Sequence, residues 1–455
     1  MDFAESHIQQ NLSDFRQEQQ LAASAATKAR AQGATLMVAS SRLEESWAWD
    51  HLGKPEESMA ALTEARELAQ GRNPHIEALA DLLMGHVFYD KGDLEAARKS
   101  YDQALEGYRK IGEQHGLARC TEAIGNVLLE QQKLEEAKWY YEEEIRINRE
   151  VGRVQGVTSG LIGLGNLLEE MGDLPGAARA DEQALRGFQQ LGNKGGAATA
   201  TSNWGIVLIE QGRLQEAKTK IEQAMVVQRE IGYKRGLAFS LSSLAEILRL
   251  EDHLEQANKT AEQASTIRKE IGDEGNTSRS QAQLAQIMLE RGRDADAESL
   301  ARSAAAASNK LNKPDVEAMS YAILAEVLSQ QGKAKDAQDA AMHAVALSQK
   351  LDRTARFESA IAVARAETGA RKLANAAPLE AAHAEASRYG YAIYEMMTRL
   401  ELARLDLKSE KPSMGEALLQ QLQKDAQAKG CLLIVRKARS ALRGQTGQHQ
   451  MGKAS

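Results

Sequence analysis

The sequence predicts an all-α fold, a solenoid of antiparallel helix pairs, from a repeat, a turn signal and the helical spacing of apolar residues. The repeat is the clearest of the three, because one alanine recurs every forty residues without an insertion or a deletion. These alanines are Ala97, Ala137, Ala177, Ala217, Ala257, Ala297 and Ala337. A fixed period of this length is typical of stacked units that each pack on their neighbours, so the 455 residues need not divide into globular domains.

Each unit divides into two helices, A and B, at a turn five residues before the alanine. The turn column reads Gly92, Gln132, Gly172, Gly212, Asp252, Gly292 and Gly332. A column that is mostly glycine predicts a left-handed residue that ends helix A. Apolar residues follow helical spacing on both sides of the turn, for example Ile124 and Leu128 before Gln132, and Tyr141 and Ile145 after it.

A second column of small residues lies twelve positions before each alanine. It reads Gly85, Gly125, Gly165, Gly205, Ala245, Ala285 and Ala325. Small side chains in both columns let helices A and B cross closely, since a bulky side chain in either column would push them apart. The two columns therefore predict a tightly packed helical hairpin in every unit.

The repeat is most regular in the middle of the chain. We predict an N-terminal capping helix at 1–34, a solenoid at 35–351 with regular units from about 76, degenerate helix pairs and a cap at 352–443, and a disordered tail at 444–455. Atypical end units are expected because a terminal face must meet water. The tail is polar and contains glycine, so it has little to bury.

These columns resemble the tetratricopeptide repeat, which has a small residue on helix A, a glycine turn and an alanine early in helix B. The forty-residue length is similar to the variant of kinesin light chains and of arrays in bacterial signalling proteins. The resemblance covers about residues 35–430 and implies a right-handed superhelix whose A helices line a concave groove for partner peptides. It places the family's helix-B aromatic at Tyr101 and Tyr141. The later copies hold Asp181, Ile221, Ala261, Ala301 and Ala341, which predicts thinner packing there.

Composition and charge exclude several other classes of protein. The net charge of −7 argues against a nucleic-acid backbone as direct partner, because such binding needs clustered Lys and Arg. Cys120 and Cys431 are too few and too far apart for a disulfide framework or a metal site. The first residues lack the pattern of a signal peptide, and no stretch reaches the ~18 apolar residues that span a bilayer. We expect a cytoplasmic protein without membrane insertion, metal or cofactor.

The sequence contains no recognisable catalytic constellation. It has no Walker-type phosphate loop, HExxH, CxxC or nucleophile elbow. The glycine-rich stretch 192–196 lies at the junction between helix B and the next helix A, so it is interpreted as part of the repeat. We predict that the chain is not an enzyme. A catalytic site in the concavity is kept as a third, weaker hypothesis.

A polar column on helix A is the candidate binding site. It reads His86, Asn126, Asn166, Ile206, Glu246, Gln286 and Glu326. Asparagine can both donate to and accept from a peptide backbone, so a ladder of such residues can hold an extended segment. With Asn203, which lies three residues before the column, one apolar anchor and two cations added, the predicted groove residues are Asn126, Asn166, Asn203, His86, Tyr89, Arg119, Glu246 and Arg249. The alternative is that they are solvated polar positions on an accessible helix face.

The two-carboxylate clamp that chaperone-binding members of the resembled family use is incomplete in this sequence. The resemblance places its asparagines at Asn166 and Asn203, which are present, but its basic positions hold Ile162, Phe239 and Ser243. We therefore predict that the partner is not a chaperone C-terminal tail.

Two hypotheses for the function remain. An extended array without catalytic motifs predicts a protein- or peptide-binding scaffold that holds an extended segment in its groove. The resemblance to signalling arrays, and a sequence that begins within the helical pattern, support the alternative of a sensor or regulatory arm in a bacterial signal-transduction or transcription-regulating system. The partner, the oligomeric state and the choice between groove and convex face stay open.

Overall fold

A computed structural model of the chain describes residues 3–369, 376–409 and 412–451. These residues form twenty-two α-helices and no strand, which confirms the all-α solenoid prediction. None of the helices in the described part of the chain is long and apolar enough to cross a membrane. The chain divides into two compact units, Met1–Leu167 and Leu168–Ser455, called unit 1 and unit 2 below.

Unit 1 contains seven complete helices and most of an eighth. They are α1 Phe3–Ala31, α2 Thr35–His51, α3 Pro55–Ala69, α4 Pro74–Asp90, α5 Leu94–Ile111, α6 Gln114–Glu130, α7 Leu134–Glu150 and α8 Val154–Met171. The boundary between the units lies inside α8. The predicted leading helix corresponds to α1, and from α4 onward the even-numbered helices are the A helices of the regular repeats.

Unit 2 begins with the last residues of α8 and continues through fourteen further helices. The regular repeats supply α9 Leu174–Gln190, α10 Lys194–Glu210, α11 Leu214–Glu230, α12 Lys234–Leu250, α13 Leu254–Glu270, α14 Glu274–Glu290, α15 Asp294–Lys310, α16 Pro314–Gln330 and α17 Ala334–Ser348. The less regular end supplies α18 Arg353–Gly369, α19 Ala377–Tyr389, α20 Ala392–Lys408, α21 Pro412–Ala428 and α22 Leu432–Met451.

The turns between helices A and B take the left-handed conformation that the glycine column predicts. The φ angle is +77° at Gly92, +83° at Gly172 and +70° at Gly212. Gln132 and Asp252 adopt the same conformation at +57° and +64°, although each carries a side chain. The turn geometry is thus fixed by the repeat and is imposed even where the residue is not glycine.

Helices A and B pack through complementary sizes at the small-residue column. The ring of Tyr101 lies against Gly85, where an added Cβ would stand 2.3 Å from Tyr101 Cε1. Ile221 occupies the equivalent place beside Gly205, where an added Cβ would stand 2.7 Å from Ile221 Cδ1. A glycine on helix A therefore accommodates a large side chain on helix B.

The later repeats replace both partners with alanine. Ala245 and Ala261 are fully buried in one apolar cluster, and Ala301 and Ala341 are buried as completely as the tyrosines they replace. These helices therefore stay in contact, with alanine on helix A where the earlier repeats have glycine and alanine on helix B where they have a larger residue.

The C-terminal end of the chain departs from the prediction. Helix α22 continues to Met451, so the polar residues from Gly444 onward extend a helix where the sequence predicts a disordered tail. Two glycines among good helix formers lower helix propensity without ending the helix. Residues 452–455 of the predicted tail lie outside the described residues.

The left-handed turn gives a prediction about stability. A side chain in this conformation costs about 1 kcal/mol, so Gln132→Gly should raise the free energy of unfolding by up to about that amount. Gln131→Gly is the matched control, because Gln131 has a φ of −80° and gains nothing from glycine. Denaturant unfolding followed by circular dichroism measures both. A lower unfolding midpoint for Gln132→Gly would contradict the assigned turn.

Candidate functional site

The C-terminal helices of unit 2 pack back onto its earlier repeats. One apolar cluster contains Leu208 of α10 and Ile247 of α12 together with Met396 and Leu400 of α20 and Ile434 of α22. All five side chains are at most 1% exposed. Because this core joins repeats that are far apart in sequence, α20–α22 cover the A-helix face of unit 2 at α10 and α12.

Turns at the ends of the A helices form part of this contact. Gly172 lies beside the ring of Tyr389, where an added Cβ would stand 2.6 Å from Cδ1. Gly212 lies beside Ala392, with 3.1 Å between an added Cβ and the alanine Cβ. The turn glycines therefore leave space for the C-terminal helices as well as supplying a left-handed residue.

Polar contacts hold the C-terminal helices in the same place. The Tyr391 hydroxyl donates to the Glu169 carbonyl oxygen at 2.6 Å, and Tyr391 is itself 2% exposed. Arg436 of α22 pairs with the turn residue Asp252, with 2.9 Å between Nε and Oδ2. The packing of α20–α22 onto the earlier repeats, called the closure of unit 2 below, thus has an apolar centre and a polar rim.

A cavity of about 240 Å³ lies between the A helices of unit 2 and the helices that cover them. Residues of α10, α12, α14, α16, α18, α20 and α22 line it. Its charged lining residues are Glu210, Glu246, Arg249, Arg279, Glu290, Glu326, Glu358, Arg365 and Lys437. So many charges around one cavity are unusual in a protein interior, where charges need partners.

One end of the cavity is a network of ion pairs. Arg249 is 2% exposed and bonds Glu246, with 2.7 Å between Nη2 and Oε1. Lys437 Nζ lies 2.6 Å from Glu290 Oε1, and Arg365 bonds both Glu326 and the buried Glu401.

The pKa values at this end follow from the pairing. Burial alone would raise the pKa of Glu401, but the charges of Arg404 and Arg365 outweigh it and lower that pKa to about 2. Burial alone would also raise the pKa of Glu290, but the charges of Lys437 and Arg249 outweigh this effect and lower that pKa. Glu401 and Glu290 are therefore ionised and matched by cations.

The other end of the cavity is mainly acidic, although the charge of the lining residue Arg279 acts on Glu358 and partly offsets the rise in its pKa. Glu210 and Glu358 form no ion pair within the described residues, and Glu358 accepts a hydrogen bond of 3.2 Å from the Tyr394 hydroxyl. Burial, followed by the charge of Asp352, raises the pKa of Glu358 to about 7. Burial and the charge of Glu169 raise the pKa of Glu210 well above its usual value.

Two polar atoms at the cavity wall lack a hydrogen-bond partner in the part of the chain that the structure describes. They are Glu210 Oε2 and Ser242 Oγ, and neither atom is accessible to solvent. Buried polar atoms are nearly always hydrogen-bonded, so each such exception calls for a physical explanation.

The structure places three of the predicted groove residues in unit 2. Glu246 and Arg249 line the cavity as a bonded pair. Asn203 lies on α10, half-buried and outside the cavity lining. Arg249 was expected in an open groove, and this is wrong, because α20 and α22 cover it and leave it 2% exposed.

The remaining predicted residues lie on the A helices of unit 1. His86 and Asn126 occupy equivalent places in successive repeats, and each is hydrogen-bonded to its helix-B tyrosine. His86 Nδ1 lies 3.0 Å from the Tyr101 hydroxyl, and Asn126 Oδ1 accepts from the Tyr141 hydroxyl. Burial, and then the charge of Arg119, lowers the pKa of His86 to about 4, so its ring is neutral. These two side chains are therefore oriented by the repeat itself.

Other predicted residues of unit 1 differ in their contacts. The Tyr89 hydroxyl lies 3.5 Å from Glu130 Oε1, and burial raises its pKa to about 12. Arg119 is half-buried and forms no hydrogen bond or ion pair within the described residues. Asn166, on α8, is exposed.

The acidic end of the cavity does not appear among the residues predicted from the sequence. A signal was present, since glutamate recurs at the last or next-to-last residue of helix A at forty-residue spacing. These residues are Glu130, Glu170, Glu210 and Glu290. This column becomes part of a site only because the C-terminal helices pack over it, and no local sequence pattern predicts that packing.

Comparison with known proteins agrees with the fold. Residues 196–438, more than half of the chain, match the family described as the MalT-like TPR region, and residues 76–150 match the tetratricopeptide repeat. The chain belongs to the MalT-like TPR family. This confirms the resemblance on which the predicted right-handed superhelical class rests.

Solved structures show the same fold at low sequence identity. The apo form of RapI is 14% identical with a TM-score of 0.52, covering 60% of this chain and 98% of that chain. A signal transduction ATPase with numerous domains and a tetratricopeptide repeat sensor, from Pyrococcus horikoshii, is 13% identical with a TM-score of 0.50, covering 74% of this chain and 55% of that chain. No curated protein matches the sequence.

The acidic end of the cavity predicts how the stability of unit 2 depends on pH. A carboxyl whose pKa is raised to about 7 in the folded state keeps a proton that the unfolded chain releases near its ordinary value. The resulting stabilisation is present below the unfolded pKa and is lost as the pH rises through the folded pKa. Glu358→Gln should therefore weaken the fall in melting temperature between about pH 5 and pH 8.

Thermal melts of the two proteins across this range test the prediction. The exposed Glu380 on α19 supplies the control variant, Glu380→Gln, which should keep the slope of the unaltered chain. Equal slopes for Glu358→Gln and the unaltered chain would contradict the assigned environment of Glu358.

Proposed function

We propose that this chain is a non-enzymatic binding module that holds an extended peptide or protein segment on the A-helix face of unit 1. The observation that carries the proposal is two incompletely used polar groups on α6, Asn126, which Tyr141 orients, and the half-buried Arg119. Asn126 accepts the Tyr141 hydroxyl through its oxygen, and its amide nitrogen donates no hydrogen bond within the described residues. Arg119 has no ion pair there either.

The chemistry of these groups suits a polypeptide. A fixed Asn amide can donate to a backbone carbonyl, and a half-buried guanidinium can pair with a carboxylate of the guest. His86 and Asn166 on the neighbouring A helices, together with Tyr89, extend the same face across three repeats. This ladder can hold an extended backbone without reading every side chain.

A sensor or regulatory arm is the second candidate. It is favoured by membership of the MalT-like TPR family and by the way the C-terminal helices of unit 2 cover its A helices. The Pyrococcus horikoshii protein, whose fold is similar, carries its repeats as a sensor. We place the module in the cytosol, which fits its two buried free thiols, and we propose no nucleic-acid partner and no chaperone-tail partner.

Affinity capture from the native cytosol, with identification by mass spectrometry, tests the first candidate. The captured partner is then titrated against Asn126→Asp, which keeps the acceptor for Tyr141 but removes the amide donor, and against Arg119→Ala. Loss of one such bond costs about 1 kcal/mol, so each variant should bind several-fold more weakly and the pair at least about tenfold.

The control is a pair of exposed positions on the B helices, Gln103→Ala and Glu142→Ala, which should bind like the unaltered chain. Circular dichroism confirms that each variant is folded. Unchanged affinity in the Asn126→Asp and Arg119→Ala double variant would refute the assignment of the site to this face.

A further inference from the structure

The cavity of unit 2 carries a second inference, which goes beyond the function proposed for unit 1. Its basic residues are fully engaged: Arg249 with Glu246 and Glu290, and Lys437 with Glu290. Arg365 pairs with Glu326 and Glu401. Arg279 pairs with Asp315, which lies outside the cavity lining. Within the described residues no cation of the cavity forms an ion pair with Glu210 or Glu358, and only the more distant charge of Arg279 partly offsets the rise in the pKa of Glu358.

A carboxylate that loses water without gaining a counter-ion pays a large free-energy penalty, and its pKa rises until it holds a proton. Glu210 and Glu358 stand in this condition, and they line the same cavity as the Ser242 hydroxyl. Glu210 Oε2 and Ser242 Oγ also lack hydrogen-bond donors within the described residues. The wall thus offers two acidic groups and unfilled acceptors.

We propose that this cavity binds an organic cation, an ammonium or guanidinium group, between Glu210, Glu358 and Ser242. Such a group brings both the missing positive charge and the missing N–H donors. A metal ion would supply only the charge, and the described residues contain no cluster of three metal-ligating side chains. At about 240 Å³, the cavity exceeds the ~30 Å³ share of a single water several-fold and has room for such a group.

The position of the cavity gives the ligand a structural consequence. Its wall includes Tyr394 and Met397 of α20 and Lys437 of α22, opposite the A helices that carry Glu210 and Ser242. A cation held there contacts both sides of the closure, so it stabilises the closed arrangement of unit 2 in proportion to its occupancy. Binding should strengthen as the pH rises and the two carboxyls ionise.

Isothermal titration calorimetry on the full chain tests the proposal with butylammonium and methylguanidinium chloride as probes. Butanol serves as the uncharged match, and tetramethylammonium as a cation without N–H donors. We expect saturable binding of the first two, at least tenfold weaker binding of the controls, and tighter binding at pH 8 than at pH 6. Argininamide and an arginine-containing tripeptide then distinguish a free small amine from a side chain of a peptide.

Glu210→Gln should weaken binding of the cationic probes at least tenfold, whereas Glu380→Gln should leave it unchanged. If Glu210→Gln is unstable, Ser242→Ala and Glu358→Gln replace it, with melting curves to confirm folding. Failure of every cationic probe to saturate, equal binding of butanol, or full affinity in these variants would overturn the proposal. Each result is independent of the unit 1 site, because that site is tested with Asn126→Asp and Arg119→Ala.

Discussion

The close approach of helices A and B within each repeat is the constraint on which the rest of the structure depends. It requires a small residue where the helices cross, which is why Ala97 and its equivalents are fully buried. It also requires a tight left-handed turn, which even Gln132 and Asp252 adopt. Because these requirements recur every forty residues, the repeats within each of the two compact units stack regularly and present their A helices on a common face.

In unit 2 this common face is covered by the chain's own C-terminal helices. The apolar cluster that joins Leu208 and Ile247 to Met396, Leu400 and Ile434 supplies the free energy of that contact, since surface area removed from water is its main favourable term. The buried ion pairs around Arg249 and Arg365 add little net stability, because the cost of desolvation offsets their attraction. Their effect is to define one arrangement of α20 and α22, since a shift would leave buried charges without partners.

The two ends of the unit 2 cavity differ because the repeat supplies acids more regularly than the C-terminal helices supply bases. Lys437 and Arg365 match Glu290, Glu326 and Glu401. No base forms an equivalent ion pair with Glu210 or Glu358 within the described residues. The same closure that gives unit 2 a core therefore also produces a site with a charge deficit.

How much of this follows from sequence depends on whether the determinants are local. The alanine and glycine columns predict helix pairs, turns and family, because each feature involves residues within one repeat. The closure of unit 2 cannot be predicted from these columns, since its contacts join distant residues, as Arg436 and Asp252 do across 184 positions. The forty-residue spacing has also drifted in the C-terminal helices. For that reason the position of Arg249 on its own helix predicts a groove residue, whereas the structure places it in a buried network of ion pairs. Glu210, one of a regular acidic column, acquires its chemistry only from what packs over it.

The closure of unit 2 is the central claim, and a distance measurement across it is the most direct test. Arg213, next to the turn residue Gly212, and Lys429 are both exposed, and Lys429 Cδ lies 3.2 Å from a Cβ added at Gly212. Spin labels at Arg213→Cys and Lys429→Cys, with Cys120 and Cys431 replaced by alanine, report the separation by electron paramagnetic resonance. If α20–α22 pack onto the earlier repeats as described, the doubly labelled chain shows strong dipolar broadening. A spectrum equal to the sum of the two singly labelled chains would contradict this packing.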